Sequence, residues 1–377
     1  MKIYRESWSS DLLLKQEYLF GLFSILSDLG NRTIRFRLFG ATIYFISFYC
    51  GISTYHVGFF RFSRQNTKKI LLPLLEKFLK NRMEVLPKHI IAFYNRSGET
   101  YLLCFHFNKF LKDNNITDFA IVSPFVYLKD IFHIFDKNIK FIEIPPIFFE
   151  LHFLSISSVK TPLFTYWEIL NHRYFCQLEK QVRAGANIHF YEEICKRIKC
   201  QEICSRPVID ASVKERASQK LSMLGLKRFV YIAPEAQSNG TYNCRFWNLL
   251  ATELYKKGID VCFNVLHNNQ LNQYGKTGYF TLSEAQYVAS KAIAVVGVRS
   301  GFMDVISTFA QKIFCIYFPF YDRGKDLPFL EVEKVKHAFS LKTLSLVNPR
   351  KIYEYSFDEM EEKQLIKSII KKIIKER

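Results

Sequence analysis

The sequence predicts an α/β protein with two consecutive blocks of alternating strands and helices behind a helical N-terminal region. Two observations support this prediction. From residue 88 onward, short apolar runs of strand length alternate with amphipathic segments of helix length, which is typical of βαβ units and parallel sheets. The alternation breaks near residue 207, which favours two separate blocks over the alternative of a single large sheet.

The first block is expected to form one Rossmann-like domain over residues 86–207. Its strands and helices are predicted at 89–94, 101–113, 118–123, 126–135 and 140–144. Residues 146–207 carry a weaker pattern, with helices and a strand near 188–191. The block therefore supplies at least three parallel strands with helices between them.

The second block has the clearer pattern and predicts another Rossmann-like domain over residues 208–350. Its elements are expected at 212–224, 228–233, 245–257, 260–265, 282–289, 292–298, 302–310 and 312–317. Residues 357–377 carry an Ile/Lys repeat and predict one long helix. We expect this C-terminal region, residues 351–377, to pack back on the N-terminal lobe.

Residues 1–85 are expected to be helical. Leucines at helical spacing predict a helix over 8–30, and a Lys-rich amphipathic pattern predicts another over 66–82. Between them, residues 38–60 contain no Asp, Glu, Lys or Arg and are flanked by arginines. That segment is long enough to cross a bilayer, but its glycines and hydroxyl residues equally allow an interfacial, acceptor-facing element or a core helix.

Charge and cysteine content narrow the choice of partner. Fifty-three basic against 35 acidic residues give a net charge of +18, which favours nucleic acid, a phosphorylated substrate or an anionic membrane. The absence of zinc-finger spacing and of RNP-type motifs argues against nucleic acid. Cys195, Cys200 and Cys204 are close in sequence but have no matching His or Cys pair, so we expect reduced thiols and no metal.

The loop between the first strand and its helix, residues 95–100 (NRSGET), carries the candidate catalytic residue. Ligands of doubly wound sheets bind beyond the carboxyl ends of the strands, where this loop lies. Glu99 is the candidate general base, and its neighbours are expected to face an acceptor. These neighbours are Asn95, Arg96, Ser97 and Gly98. The alternative is that Glu99 only interacts favourably with the start of a helix.

Three loops of the second block are expected to bind an anionic donor. Ser300 and Gly301 precede a helix, where free N–H groups favour anions. The chain contains no Asp-x-Asp, which argues against a donor diphosphate held through a divalent metal. The predicted donor-binding residues are Pro234, Glu235, Gln237, Ser238, Arg245, His267, Asn268, Arg299, Ser300, Gly301 and Asp304.

Three stretches resemble the heptosyltransferase-like family of GT-B glycosyltransferases, whose relatives act in bacterial capsule and lipopolysaccharide assembly. They are NRSGETYLL (95–103), FVYIAPEAQSNGTYNCRFWNLLATELYKKGIDV (229–261) and LSEAQYVASKAIAVVGVRSGFMDVIS (282–307). The resemblance covers the last half of the chain well, residues 88–145 loosely and residues 1–85 not at all. It implies two Rossmann-like domains facing a cleft. Glu99, the candidate base, stands where Asp is more usual in the family. Arg299 stands where many relatives have Asp, so no nucleotide preference is carried over.

The resemblance implies a metal-independent, inverting glycosyltransferase without a cofactor. It would move a sugar from a nucleotide-sugar to a glycan or lipid-linked acceptor in bacterial surface polysaccharide synthesis. With the positive charge, this predicts a cytoplasmic protein peripheral at the inner face of the membrane. Two alternatives stay open. One is a GT-B-fold enzyme of other chemistry, a nucleotide-sugar epimerase or polyol-phosphate transferase, and the other is a non-catalytic glycan-binding protein.

Overall fold

A computed structural model describes most of the chain. The described residues are 4–10, 13–18, 23–28, 33–38, 41–49, 52–56, 64–145, 147–148, 163–165, 167, 170, 172–200, 202–236, 244–265, 271, 274–321, 328–344, 348, 351–356 and 361–375.

An antiparallel sheet, and not a helical region, occupies the N-terminus. Its six strands pair in chain order: β1 (Tyr4–Ser10), β2 (Leu13–Tyr18), β3 (Phe23–Asp28), β4 (Thr33–Leu38), β5 (Ala41–Tyr49) and β6 (Ile52–His56). The predicted helix over 8–30 is therefore wrong. Cross-strand pairing such as Leu14 opposite Ser27 satisfies the backbone there, and both residues are buried. Leucine spacing does not reveal such pairing, because it depends on contacts that are distant in sequence.

Segment 38–60 is also extended where it is described. Strands β5 and β6 form a hairpin within it, and residues 57–60 lie outside the described residues. Among the described helices, none combines the length and the apolarity that a membrane span requires. The predicted Lys-rich helix is confirmed as α1 (Arg64–Arg82), which buries leucines at positions 71, 72, 74, 75 and 79.

The first parallel sheet follows α1. Its strands are β7 (His89–Ala92), β8 (Phe119–Ser123), β9 (Phe141–Glu143) and β10 (Phe164–Thr165), in the order β10-β7-β8-β9. Helix α2 (Ser97–Asp113) connects β7 to β8, and α3 (Leu128–Phe135) connects β8 to β9. This alternation confirms the predicted strands and helices of the first block to within a few residues at each end.

Two further helices, α4 (His172–Arg183) and α5 (Phe190–Ile198), precede the second block. The strand predicted near 188–191 is wrong, because α5 begins within that stretch. Tyr191, Ile194 and Cys195 are buried at helical spacing, while Glu192 and Glu193 lie in the first turn, where carboxylates are favourable.

The second parallel sheet has six strands in the order β13-β12-β11-β14-β15-β18. In chain order the elements are α6 (Ala211–Met223), β11 (Phe229–Ala233), α7 (Cys244–Tyr255), β12 (Asp260–Asn264), β13 (Lys276–Gly278), α8 (Leu282–Lys291), β14 (Ala294–Val298), α9 (Gly301–Ser307), β15 (Ile313–Tyr317), β16 (Phe320–Tyr321), β17 (Pro328–Leu330), α10 (Val332–Ala338), β18 (Ile352–Ser356) and α11 (Glu362–Lys375). Strands β16 and β17 form a separate antiparallel pair. The two parallel sheets with helices between their strands confirm the predicted α/β class.

Alternate residues of the central strand β11 belong to two different cores. Phe229, Tyr231 and Ala233 pack in one hydrophobic cluster, and Val230 and Ile232 pack in the other. Helices α6, α8 and α9 contribute to the first cluster, and α7 and α11 to the second. The sheet is therefore covered on both faces, as in doubly wound folds.

The C-terminal helix buries its apolar face in the second unit of the chain. Leu365, Ile366, Ile369 and Ile370 of α11 join the cluster that contains α7. We expected this helix to pack back on the N-terminal lobe; in the structure these four side chains, one leucine and three isoleucines, are buried in the core of the second sheet. That sheet precedes the helix in the sequence.

The chain divides into two compact units whose limits differ from the predicted domain boundaries. The first unit comprises residues 1–95, 111–126 and 139–175, and the second comprises 96–110, 127–138 and 176–377. The strands of the first parallel sheet thus lie in the first unit, whereas most of α2 and all of α3 cluster with the second.

Candidate active site

The candidate base lies in the first turn of a helix that follows a parallel strand. Strand β7 ends at Ala92, and buried Phe93, Tyr94 and Asn95 lead to Ser97, where α2 begins. Thr100 N donates to the Arg96 carbonyl at 2.9 Å, which closes the first turn. Glu99 therefore stands at the N-terminal end of α2, where the helix dipole favours a carboxylate.

Gly98 and Gly301 bring the first turns of α2 and α9 into direct contact. A Cβ added to Gly98 would lie 2.7 Å from the Gly301 Cα, and one added to Gly301 would lie 2.7 Å from the Gly98 N. Real Cβ atoms essentially never approach so closely, so both positions require glycine. At this contact both glycines thus face another part of the protein.

A buried ion pair stands behind this contact. Arg299 and Asp304 are only 8% and 4% exposed, and Arg299 Nη2 lies 2.8 Å from Asp304 Oδ1. Arg299 also donates from Nη1 to Asp304 Oδ2 at 3.1 Å, from Nη1 to the Ser300 carbonyl at 2.7 Å and from Nε to the Phe339 carbonyl at 2.8 Å. All three nitrogens of the Arg299 guanidinium therefore contact protein groups, and two of these groups, Ser300 and Asp304, lie at the start of α9. Arg299 thus fixes the start of α9.

Glu99 lies in the electrostatic field of that ion pair. Burial raises the pKa of Glu99, a hydrogen bond to its own backbone opposes the shift, and Asp304 raises the pKa further. Arg96 and Arg299 lower it in part. The net result is a partly buried carboxylate whose pKa lies above its ordinary value.

Hydrogen bonds hold α2 against α8 and the end of α9. The hydroxyls of Tyr101 and Thr308 share a hydrogen bond of 2.7 Å, and Gln286 Nε2 donates to Tyr101 Oη at 3.2 Å and to the Val305 carbonyl at 2.9 Å. Tyr101 is fully buried and also packs edge-on against Phe105. The position of Glu99 is therefore fixed by the residues that follow it on the same helix.

The structure places the remaining predicted residues as follows. Ser300 is partly exposed at the N-terminal boundary of α9, with an Oγ that has no hydrogen-bond partner in the described part of the chain. Pro234 is buried directly after β11, and Glu235 and Arg245 are exposed. Arg96 is exposed and Ser97 half-buried beside Glu99. Gln237, Ser238, His267 and Asn268 lie outside the described residues.

Sequence patterns missed two residues at the start of α3, of which Tyr127 is near Glu99. Tyr127 precedes α3 and is close enough for Arg96 and Glu99 to affect its hydroxyl, although burial is the main cause that raises the pKa of Tyr127. Asp130 accepts hydrogen bonds from the Ser283 N and Oγ, each at 3.1 Å, and so joins α3 to α8. The rule that ligands bind beyond the carboxyl ends of parallel strands could have identified Tyr127, because Tyr127 lies in the loop after β8 just as Glu99 follows β7.

Comparisons with known proteins give only distant similarities. No protein-family model matches the chain, and no curated protein matches it at a significant level. A glycosyl transferase family 9 structure from Veillonella parvula is 13% identical, with a TM-score of 0.47 over 78% of this chain and 99% of that one. The E. coli ADP-heptose lipopolysaccharide heptosyltransferase II is 10% identical, with a TM-score of 0.47 over 77% of this chain and 99% of that one.

A third solved structure belongs to another reaction class. A Listeria monocytogenes protein assigned as a UDP-N-acetylglucosamine 2-epimerase is 10% identical, with a TM-score of 0.43 over 78% of this chain and 89% of that one. These similarities are too remote for any property of the three proteins to be transferred to this chain.

Proposed function

We propose that this chain is a metal-independent, inverting glycosyltransferase that uses Glu99 as its general base. The observation that carries the proposal is the Glu99 carboxylate itself, partly buried at the start of α2 with a raised pKa beside the Arg299–Asp304 pair. A sugar hydroxyl is a weak nucleophile at neutral pH, so its attack requires a base of this kind. The resemblance of residues 95–103 and 282–307 to heptosyltransferase-like enzymes supports the same assignment.

In this mechanism one C–O bond forms as another breaks. The acceptor oxygen attacks the anomeric carbon from the face opposite the nucleotide, and its proton passes to the Glu99 carboxylate. The bond from the anomeric carbon to the terminal phosphate oxygen breaks at the same time, and the nucleoside diphosphate leaves with the electron pair. Inversion at the anomeric carbon follows from this single displacement.

Cationic and hydroxyl groups of the second sheet are assigned to the donor. Arg245 is exposed at the start of α7 and is available to a phosphate. Ser300 is assigned to the donor as well, and its Oγ is a buried atom without a hydrogen-bond partner in the described part of the chain. Arg299, Gly301 and Asp304 take a positioning role in this proposal, because their contacts are to other protein groups. The metal-independent part of the proposal rests on the sequence, which contains no Asp-x-Asp.

The acceptor is proposed to be a glycan or lipid-linked sugar of a bacterial surface polysaccharide, reached at the inner face of the membrane. The exposed face of α11 supports an anionic surface as a partner. Lys363, Lys367, Lys371 and Lys375 are exposed at intervals of four residues and so form one stripe along the helix, here called the lysine stripe. Like charges at this spacing destabilise a helix unless something offsets them.

The test is the Glu99→Gln variant, with Glu253→Gln on the exposed side of α7 as the control. Removing a general base lowers turnover by about 10²–10⁴-fold. We expect this loss in kcat for Glu99→Gln only, measured as release of nucleoside diphosphate. Donor binding should survive, and thermal shifts with a panel of nucleoside diphosphates measure it, because a bound ligand stabilises the folded state.

Three outcomes would contradict the proposal. Near-normal turnover in Glu99→Gln would remove the base from this position. An altered sugar still attached to its nucleotide would indicate an epimerase. Absence of turnover in the wild type with every donor, together with glycan binding that Glu99→Gln does not change, would indicate a non-catalytic protein.

A further inference from the structure

Three metal-ligating side chains meet beside the middle of α2. His106 lies on α2, and Cys200 and Cys204 lie in the loop after α5. One ligand atom from each residue lies within 4.8 Å of the other two. In sequence the two cysteines have no histidine nearby, and the fold supplies one from a helix much earlier in the chain.

Backbone hydrogen bonds hold this loop against α2 independently of any ion. Cys204 N and Ser205 N both donate to the Phe105 carbonyl, at 2.9 and 3.1 Å. Cys200 N donates to the Cys195 carbonyl at 3.1 Å, in a helix end that turns through Lys199 with φ of 55°. The two thiols are therefore placed next to His106 by the fold.

The spacing of the sulfurs fits a shared ion better than a disulfide. Cys200 Sγ and Cys204 Sγ are 3.7 Å apart, and both cysteines are free thiols. Two thiolates at the usual zinc–sulfur distance of about 2.3 Å, with a tetrahedral angle between them, lie about 3.8 Å apart. A disulfide requires about 2.05 Å and a change in both side chains.

The histidine has a ring nitrogen to offer. His106 is fully buried, and its Nε2 lies 3.2 Å from the Tyr191 hydroxyl and 3.7 Å from Cys195 Sγ. Its Nδ1 is buried without a hydrogen bond of ordinary geometry to any described residue, although the Glu202 backbone is near. A buried imidazole nitrogen that lacks such a partner beside two thiols is a ligand set for a borderline transition metal.

We propose that His106, Cys200 and Cys204 bind one Zn²⁺ per chain, with the fourth position open to solvent beside exposed Cys204. Thiolate and imidazole ligands select zinc over magnesium and calcium, which prefer oxygen. His106 follows Glu99 by seven residues, about two helical turns, on the same face of α2. The ion would thus fix the helix that carries Glu99 without contact with the reacting atoms.

The experiment measures zinc in the full chain, purified in reducing buffer without chelator and without a polyhistidine tag. Elemental analysis should give about one zinc per chain, and Co²⁺ added to metal-stripped protein should produce a thiolate-to-cobalt charge-transfer band. Cys204→Ser, an exposed position that leaves the core intact, should lose both signals. Cys244→Ser, at a half-buried cysteine of α7 that forms no disulfide, is the matched control and should keep both.

Each other outcome would overturn the zinc site. Wild-type protein without bound zinc and without a cobalt band would do so, as would equal zinc in wild type and Cys204→Ser. Stoichiometric iron in place of zinc would overturn the choice of metal, and a Cys200–Cys204 disulfide in reducing buffer would overturn the ligand set. Circular dichroism of Cys204→Ser separates loss of metal from loss of fold.

Discussion

Glu99 is a charged residue at a site that favours its neutral form. In the folded state burial raises the pKa of Glu99 above its ordinary 4.5, and Asp304 adds to the shift. A carboxyl group with a raised folded pKa contributes stability below its unfolded pKa and loses that contribution as the pH rises through the folded pKa. The residue that serves the proposed reaction is therefore a source of instability at neutral pH.

We expect Glu99→Gln to have a melting temperature at least as high as that of the wild type at pH 7. The amide keeps the size of the side chain and removes the buried charge. The difference should shrink as the pH falls below about 4.5, where the wild-type carboxyl is protonated in both states. Thermal melts over a pH series, with Glu253→Gln as the control, measure it. A lower melting temperature for Glu99→Gln at pH 7 would instead indicate a structural role for the carboxylate.

Gly98→Ala is expected to destabilise the protein by about 1–3 kcal/mol, as overpacking of a tight contact does. The new Cβ would lie 2.6 Å from Asp304 Oδ2 and 2.7 Å from the Gly301 Cα, and the latter is backbone that has little room to move. Turnover should fall as well, because the first turn of α2 carries Glu99. Lys112→Ala, exposed on the same helix, is the control in chemical denaturation. Unchanged stability of Gly98→Ala would mean that the two helix starts separate at no cost.

At this scale the sequence indicated which loops carry candidate residues but not what each residue contacts. The loops 95–100 and 299–304 were both selected by the carboxyl-end rule, and the first turns of α2 and α9 do lie together. Gly98 and Arg299, which were expected to face ligands, contact protein atoms in the structure. Residue type and loop position do not determine the direction of a side chain, since the partner of Arg299 at Phe339 is distant in sequence.

Among the elements, α11 joins an apolar face to a basic one. Its isoleucines are buried in the second sheet's core, and the lysine stripe lies on the exposed side. Lys372, outside the stripe, lies over the rings of Tyr353 and Tyr355. The helix is thus docked firmly enough to present the four exposed charges together.

Replacement of all four stripe lysines by glutamine should weaken binding to vesicles that contain anionic lipid. Each lysine near such a surface contributes about 1 kcal/mol, so the combined loss is up to about 4 kcal/mol. High salt should weaken wild-type binding in the same direction, because exposed charges are screened beyond about 8 Å. Vesicle co-sedimentation measures both effects.

The control for the stripe carries an equal change of charge elsewhere. It replaces four exposed lysines that do not form a row: Lys214, Lys257, Lys334 and Lys342. Equal loss in the two variants would mean that net charge alone decides binding. The stripe variant should also melt no lower than wild type, because removal of like charges at four-residue spacing relieves repulsion within α11.

Strands and helices of the two parallel blocks were predictable because each is fixed by its own local pattern. Strand β14, with five buried residues in a row, and α8, with a capping box of Thr281 and Glu284, are examples. The helix expected over 8–30 failed because pairing between β2 and β3 decides the structure there. The C-terminal helix was predicted correctly, and the cluster that buries its apolar face could not be read from the sequence, since an apolar pattern does not determine which surface covers it.

For the whole molecule, the metal-independent reaction and the zinc site are separate proposals and require separate tests. The reaction is proposed to need no divalent ion, whereas the proposed zinc would support the position of α2. Brief exposure to EDTA should leave turnover unchanged, because the proposed zinc does not contact the reacting atoms. Long incubation with a chelator that competes with the thiolates should remove the zinc and lower the melting temperature of the protein. Turnover should fall as well, because α2 then loses its support. Immediate loss of turnover on addition of EDTA, restored by magnesium, would contradict the metal-independent reaction.

The contact between Gly98 and Gly301 also constrains how this sequence can diverge. A side chain added at either position meets the backbone of the other, so no compensating change at the partner position makes room for it. In proteins that share this arrangement, we therefore expect both glycines to be present. Where one is replaced, we expect the other to be replaced too, with one of the two helices shifted as a whole. Two glycines about two hundred residues apart, each at the start of a helix that follows a strand, then form a search pattern. The pattern can find relatives whose overall sequence identity is too low to reveal them.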